Sequence, residues 1–458
     1  MTLMVPIALF GWIPVILLLF KKLQPHRAVI AGFLLAWMFL PWHVYEITGV
    51  PNYSRVSATC LGVLLGIFIF DRPTLRNFRF SIVDLPVIGL CVVPFFTALS
   101  NDLGTHDGIS AMMDKALLWG VPWMVGRLYI STPAHMRDMV FGIFLGGLIY
   151  VPFVIFEFIM SPRLHRMVYG FHAHSFAQAK RGDGYRPVVF MNHGLMTAMW
   201  LMSATFCGVV MTLGGYFKTR FPRQQVLLYG GTAILLVTTA VNRSVGAFFL
   251  LFFAIAIFLA VRVLRQGWPL LITIVIAVLY MVSRGTGAWD AQNLIARAES
   301  ASDAERAGSL EFRINMETIL IERAMERPWL GWGRWRRSFV TDDEGRIISV
   351  PDGLWVLALG QEGILGVTFM TLTLSIPIVI FLRRFPPKTW SQPDITPLTA
   401  LPIMLGIYLV DNLLNNMFNP AFLLAAGGLA GGAAAVAVHE SEPATDVNML
   451  QPAKTRAL

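Results

Sequence analysis

Arginines recur in this 458-residue chain at places where charge is least at home. Arg181 and Arg186 stand in "KRGDGYRPVVFMNHG", just before an apolar run, and Arg243 stands in "AVNRSVGAFF", where two apolar runs meet. Arg313 lies in "SLEFRINM", and Arg334, Arg336 and Arg337 crowd into "GWGRWRRSF". An arginine near membrane depth costs at least about 2.5–3.5 kcal/mol, so such a residue is usually paired or functional. Its planar fork grips two phosphate oxygens at once, and several forks converging on an outer cavity would suit a pyrophosphate. The plainer reading of each is an interface anchor or the partner of a nearby acid. That reading outweighs the functional one for the last three. For Arg243, with almost wholly apolar neighbours, the functional reading weighs more.

Two other residues could move a proton. His193 in "FMNHGLM" is placed for a general base, or for a buried histidine satisfied by a hydrogen bond. Asp352 opens "DGLWVLALGQEGILGV", where an aspartate serves equally as a base or as a helix N-cap. Beside arginines its pKa is expected to stay low. Glu362 follows about 15 Å further along the same helix, at ~1.5 Å per residue, and is expected to pair with a polar group inside the bundle. "FHAH" (171–174) has a metal-like composition without a matching ligand at helical spacing, so no metal is expected there. The sequence has no P-loop, GxSxG or HExxH, which counts against ATP-driven transport and serine hydrolysis.

The elements that must hold these residues are membrane spans. The chain is 56% hydrophobic and 14% charged, against about 25% charged in a soluble protein. Runs of about 18 or more apolar residues recur throughout, each enough to cross a ~30 Å hydrocarbon core. The fold class is therefore all-α: a polytopic transmembrane helical bundle of about twelve to thirteen spans, with a long, partly helical outer loop. Spans are placed at roughly 3–20, 28–49, 57–71, 83–99, 110–129, 138–160, 188–214, 226–241, 244–261, 269–283, 353–382, 397–414 and 420–438. The first is read as a retained span, since it has no basic n-region or cleavage site. Cys60, Cys91 and Cys207 fall inside apolar runs and read as small core residues.

The net charge of +9 has a topological explanation that needs no nucleic acid. Lys and Arg follow odd-numbered spans, as in Lys21, Lys22 and Arg27, in Arg72, Arg76 and Arg79, and in Arg383, Arg384 and Lys388. Short loops after even spans, such as 101–108 and 411–416, lack them. Cation-rich short loops stay in the cytoplasm, which puts the N-terminus and the loops 161–187 and 284–352 outside.

In this order and on this face, the motifs resemble those of the bacterial O-antigen ligase and O-antigen polymerase superfamily, over about 180–370. "YRPVVFMNHGLMTAMW" is similar to that family's arginine-then-polar approach to a span, and "NRSVGAFF" to its "SRgal" element, with Arg243 in the arginine position. "EFRINMETILIERAMERPWLGWGRWRRSF" looks like its "R…al…PllGvGxGxF" run, matching Arg313 and Gly331–Gly333. "DGLWVLALGQEGILG" resembles its "HN-x9-GllG", with Gly363 and Gly366 at the family spacing and Glu362 in a structural position.

The resemblance implies a glycosyltransferase of a bacterial inner (cytoplasmic) membrane. It would take glycan from an undecaprenyl-pyrophosphate carrier on the periplasmic side and pass it to an acceptor glycan or lipid, with neither nucleotide sugar nor metal. Pyrophosphate would be held by Arg181, Arg186, Arg243 and Arg313, and the acceptor hydroxyl activated by Asp352 or His193. The implied organisation is N-terminal spans over 1–160, an outer loop over 161–187 and central spans with the arginine motifs over 188–283. A large periplasmic loop over 284–352, C-terminal spans over 353–438 and a disordered cytoplasmic tail over 439–458 complete it. The chain departs from the family where Asp352 and Gly353 replace its His-Asn, which fits lipid A-core ligation less well than repeat-unit polymerisation or another acceptor. The competing expectations are a transporter or flippase for an anionic lipid or solute, and a non-enzymatic assembly factor.

Overall fold

The structure is a computed structural model and describes residues 1–46, 51–76, 78–181, 184–301 and 304–441. Its apolar runs are helical, because lipid offers no partner to an open backbone group and a helix satisfies its own. The first part holds α1 (Met4–Lys22), α2 (Pro25–Phe39), α3 (Arg55–Phe70), α4 (Arg72–Arg76), α5 (Leu85–Ser100), α6 (Gly104–Lys115) and α7 (Val121–Tyr129). Then come α8 (Pro133–Met160), α9 (Leu164–Tyr169), α10 (Gly194–Leu213), α11 (Tyr216–Arg220), α12 (Gln225–Val241), α13 (Val245–Leu264) and α14 (Trp268–Gly285). The large outer loop carries α15 (Gln292–Ala301) and α16 (Ala304–Met325), and α17 (Leu354–Arg384), α18 (Ala400–Asp411) and α19 (Pro420–Ser441) return to the bundle. Two short hairpins, β1–β2 (Val44–Tyr45 with Tyr53–Ser54) and β3–β4 (Lys180–Arg181 with Gly184–Tyr185), lie outside the helices.

Among the described residues seven helices are long and apolar enough to cross a membrane, and α2, α3, α12, Thr396–Asp411 and Pro420–Gly431 are shorter apolar helices. The protein is a multi-pass, all-α membrane protein. At its centre α10 is buried along almost its whole length, packed on α8, α12 and α13.

Three expected boundaries move, each for a local reason. The second span was expected to reach residue 49, but α2 ends at Phe39 because Pro41 follows its C-cap Leu40; residues 47–50 lie outside the described residues. The seventh was expected from 188, but α10 starts at Gly194, after a buried irregular stretch that includes Val189 at φ 58°. The fifth, expected at 110–129, is the polar α6 joined to α7 through a π-helical segment, Ala116–Gly120. The expected disordered tail from 439 begins inside α19, and from 442 it lies outside the described residues.

Side-chain contacts sort the loops into the same two groups as their charges. On one side the Thr2 amide donates to the Tyr169 carbonyl (3.0 Å), the Trp42 amide to His165 Nε2 (3.3 Å) and Arg327 to Asn101 Oδ1 (2.7 Å). On the other, Arg27 pairs with Asp138 (2.8 Å), Arg137 with Asp394 (3.3 Å), and Arg384 donates to the Ser131 carbonyl (2.9 Å).

The helix α17 is not continuous. Gly363 sits at φ 67°, ψ −164°, which breaks the ladder and opens backbone groups on both sides. The segment Pro328–Gly333 of the outer loop closes them. Trp332 and Gly333 amides donate to the carbonyls of Gly360 and Gln361 (both 2.9 Å), while Ile364 and Leu365 amides donate to those of Pro328 (2.7 Å) and Trp329 (3.4 Å). Further along the strap, the carbonyls of Leu330, Gly331 and Trp332 accept from Thr97 (2.7 Å), Asn101 (3.0 Å) and Arg337 (3.0 Å). Non-helical backbone is tolerated at such a place because protein satisfies it. The two glycine-bearing stretches of the sequence thus meet: a Cβ on Gly363 would lie 2.4 Å from the Trp329 carbonyl, and one on Gly331 would lie 2.6 Å from the Gln361 backbone.

Candidate functional site

The singled-out residues fall into two groups. The first surrounds the start of α10. Arg243 occupies the turn between α12 and α13 at φ 52°, a left-handed position for a non-glycine residue. Its carbonyl accepts two bonds from Arg186, from Nε (3.3 Å) and Nη2 (3.1 Å). Its guanidinium lies 5.5 Å from the Phe158 ring centroid and directly under Gly184, where a Cβ would come within 2.6 Å of it. Arg186 is therefore a buried brace for the Arg243 backbone. Arg181 belongs to β3 by its backbone.

His193 is the N-cap of α10: its Nδ1 accepts from the Leu195 amide (3.1 Å), and its ring lies 5.2 Å from that of His174. That bond commits Nδ1 to capping the helix. Sequence reasoning passed over Glu157, which organises this region. It is 1% exposed, and its carboxylate accepts from the amides of Leu164 (2.8 Å), Val188 (2.8 Å) and Val189 (2.7 Å), which replaces the missing first turn of the expected span. His165 nearby is pushed down to about 4 by burial, which keeps it neutral. The pocket shared by Glu157, Arg186 and His193 holds ≈ 20 Å³, room for about one water and not for a pyrophosphate.

The second group lies where the outer loop returns to the membrane. Arg313 Nε is 3.7 Å from Asp352 Oδ2, and Arg313 Nη1 donates to Asn415 Oδ1 (3.2 Å). Asn415 in turn donates to Asp411 (2.6 Å). The N-cap of α17 is Gly353, with no side-chain cap, and the Leu354 amide donates instead to the Asn412 carbonyl (3.0 Å). Asp352 therefore does not cap the helix. Burial raises its pKa above the ordinary carboxylate value, and the opposing pull of Arg313 is the smaller cause. This reverses the expectation of a low pKa, because Asp352 is half-buried and Arg313 stands beyond hydrogen-bond distance.

What places Arg313 is a buried network one turn along α16. Glu317, 5% exposed, accepts from Arg284 Nε (2.8 Å), Tyr280 (3.0 Å) and Trp355 Nε1 (3.1 Å), tying α14, α16 and the start of α17 together. Burial raises the Glu317 pKa against the pull of Arg284. The available signal was an arginine and a glutamate on helices flanking the same loop, which spacing alone cannot pair.

The arginines expected to share one outer cavity fall into separate groups, Arg186 with Arg243 in the first and Arg313 in the second. The large cleft on this face, ≈ 830 Å³, lies between α6 and the break in α17, and of the outer arginines Arg334 lines it. On its wall Glu362, 4% exposed, pairs with Lys115 at the end of α6, which supplies the expected polar partner. Arg334 pairs with Asp107 (2.8 Å) near the rim. Among the described residues no three His, Cys, Asp or Glu side chains are grouped as a metal ion would need.

No protein-family model and no curated protein matches this chain.

Proposed function

We propose that the chain is a membrane glycosyltransferase of the O-antigen ligase or polymerase type, working on the periplasmic side of a bacterial inner membrane. It would transfer or polymerise glycan from an undecaprenyl-pyrophosphate carrier in surface-polysaccharide or exopolysaccharide synthesis. The observation that carries this reading is the pairing of Arg313 with Asp352 at the outer mouth of α17.

In the reaction the acceptor hydroxyl oxygen forms a bond to the anomeric carbon. The bond from that carbon to the pyrophosphate oxygen breaks with inversion, and its electron pair leaves with the pyrophosphate. Asp352 takes the hydroxyl proton, and its raised pKa makes it a better base than an ordinary carboxylate. Arg313, fixed by Asn415, meets the growing negative charge on the leaving group.

The test is glycan transfer in liposomes containing the purified protein, lipid-linked donor and acceptor. Asp352→Asn is expected to lower the rate about 10²–10⁴-fold, and Arg313→Ala about 10²–10³-fold, with folded protein in both cases. Unchanged transfer in both variants would remove the reading. A transporter or flippase is the second reading, favoured by the broken helix α17, since discontinuous helices line many transport sites. Translocation of donor lipid without glycan growth in the same liposomes would select it.

A further inference from the structure

We propose that the cleft between α6 and the break in α17 binds an uncharged, polyhydroxylated glycan segment, with Trp335 as its stacking platform. This deepens the transferase reading, and rests on it for the identity of the glycan as acceptor. The cleft's ≈ 830 Å³ is within the range of small-molecule sites, about 300–1,000 Å³. Its lining is acidic: Glu46, Asp107, Asp114 and Glu362 face Lys115 and Arg334. The two ion pairs leave the carboxylates in excess, with His106 beside Asp107 and Asp114 held by the Asn52 backbone and drawn by Arg334, so an anionic phosphate is disfavoured where a neutral chain is not.

Carboxylates accept from neighbouring sugar hydroxyls, and the amide of Gln361 both donates and accepts. Trp335, 58% exposed, offers an aromatic face for the apolar side of a sugar ring. One polar atom in the lining is also unsatisfied. The second carboxylate oxygen of Glu362 is buried without a hydrogen-bond partner among the described residues, on a side chain 5% exposed. Along the outer half of α17 the cleft stands about 15 Å from Asp352, at ~1.5 Å per residue, a separation that a few linked sugars can span. Phosphate recognition by Arg313 and sugar recognition by the cleft are thereby divided between two ends of one half-helix.

The experiment uses the full-length protein in lipid nanodiscs and two probes. One is the neutral, lipid-free oligosaccharide released by mild acid from the producing cell's surface polysaccharide; the other is inorganic pyrophosphate. Asp114→Asn and Trp335→Ala are expected to weaken oligosaccharide binding at least tenfold and leave pyrophosphate binding unchanged. Arg313→Ala is expected to do the converse. Should either cleft variant fail to give a monodisperse protein, Glu46→Gln takes its place. Oligosaccharide affinity that is unchanged in the cleft variants, or undetectable in the native chain, overturns the proposal.

In the transfer assay, excess free oligosaccharide is expected to raise the KM for acceptor and not for lipid donor. The reverse pattern would assign the cleft to the donor's own sugars and overturn the acceptor assignment. Cleft-dependent binding without any transfer would sink the transferase reading and leave the glycan site standing. Transfer with cleft-independent binding would do the opposite.

Discussion

Substituting Gly363 by alanine tests whether close approach sets the break in α17. At φ 67°, ψ −164° the residue occupies backbone space that is essentially glycine's alone, and a side chain there costs about 1–3 kcal/mol. The new Cβ would also stand 2.4 Å from the carbonyl carbon and oxygen of Trp329, which are backbone atoms that cannot swing aside. The strap must then retreat, which strips the Ile364 and Leu365 amides of their acceptors. Each buried group left unsatisfied costs about 1–3 kcal/mol. The lower ends of these ranges already give a loss of about 3 kcal/mol.

Thermal unfolding in detergent reads the loss as a lower Tm, and hydrogen exchange localises it to 328–333 and 360–365. Gly246→Ala in α13 is the control, because a Cβ there meets nothing within 4 Å. Alanine in that helix is expected to stabilise by roughly 0.5–1 kcal/mol. A Gly363→Ala protein with native Tm and native exchange in 328–333 would refute the reasoning.

Glu317→Ala is expected to destabilise by about 3–5 kcal/mol, because it leaves Arg284 buried without its partner; denaturation in detergent checks it, and transfer should fall as Arg313 loses its support. For Asp352 the folded pKa is raised, so its contribution to stability is fully present below the unfolded value and is lost as pH rises through the folded one. Asp352→Asn should therefore raise Tm at neutral pH and leave it unchanged near pH 3, while native transfer activity falls, as pH drops, at a higher pH than an ordinary carboxylate would give. Gly184→Ala should push the Arg243 guanidinium off its site, and a lower Tm with native pyrophosphate binding would report it.

The spans, and which loops share a side, were legible because they depend on composition within one segment at a time. Apolar length sets a span, and cation placement sets a side; both survive ignorance of who packs against whom. The boundaries that moved did so where a distant residue intervened. The α10 start shifted because Glu157, on α8, takes up the amides of Val188 and Val189. The interrupted span at 110–129 hid Lys115, whose partner Glu362 is far off in the chain. At the site, sequence order showed which arginines were unusual but not which would meet. Arg186 spends two donors on the Arg243 carbonyl, whereas Arg313 reaches Asp352 through a helix oriented by Glu317. Such pairings are properties of the assembled bundle.

The strap at Pro328–Gly333 also constrains how the protein can be made. Carbonyls 360 and 361 and amides 364 and 365 find their partners in this segment, and lipid provides no substitute. While it inserts, α17 must therefore either run as an unbroken helix or already have the strap beside it. The strap precedes α17 in the chain, so a ribosome delivers it first. Its own carbonyls at Leu330 and Gly331 rest on Thr97 and Asn101, at the outer end of the still earlier α5. Biogenesis can thus proceed in the order of synthesis, with a docking ledge prepared before the helix that needs it, and moving the strap behind α17 by circular permutation would remove that advantage.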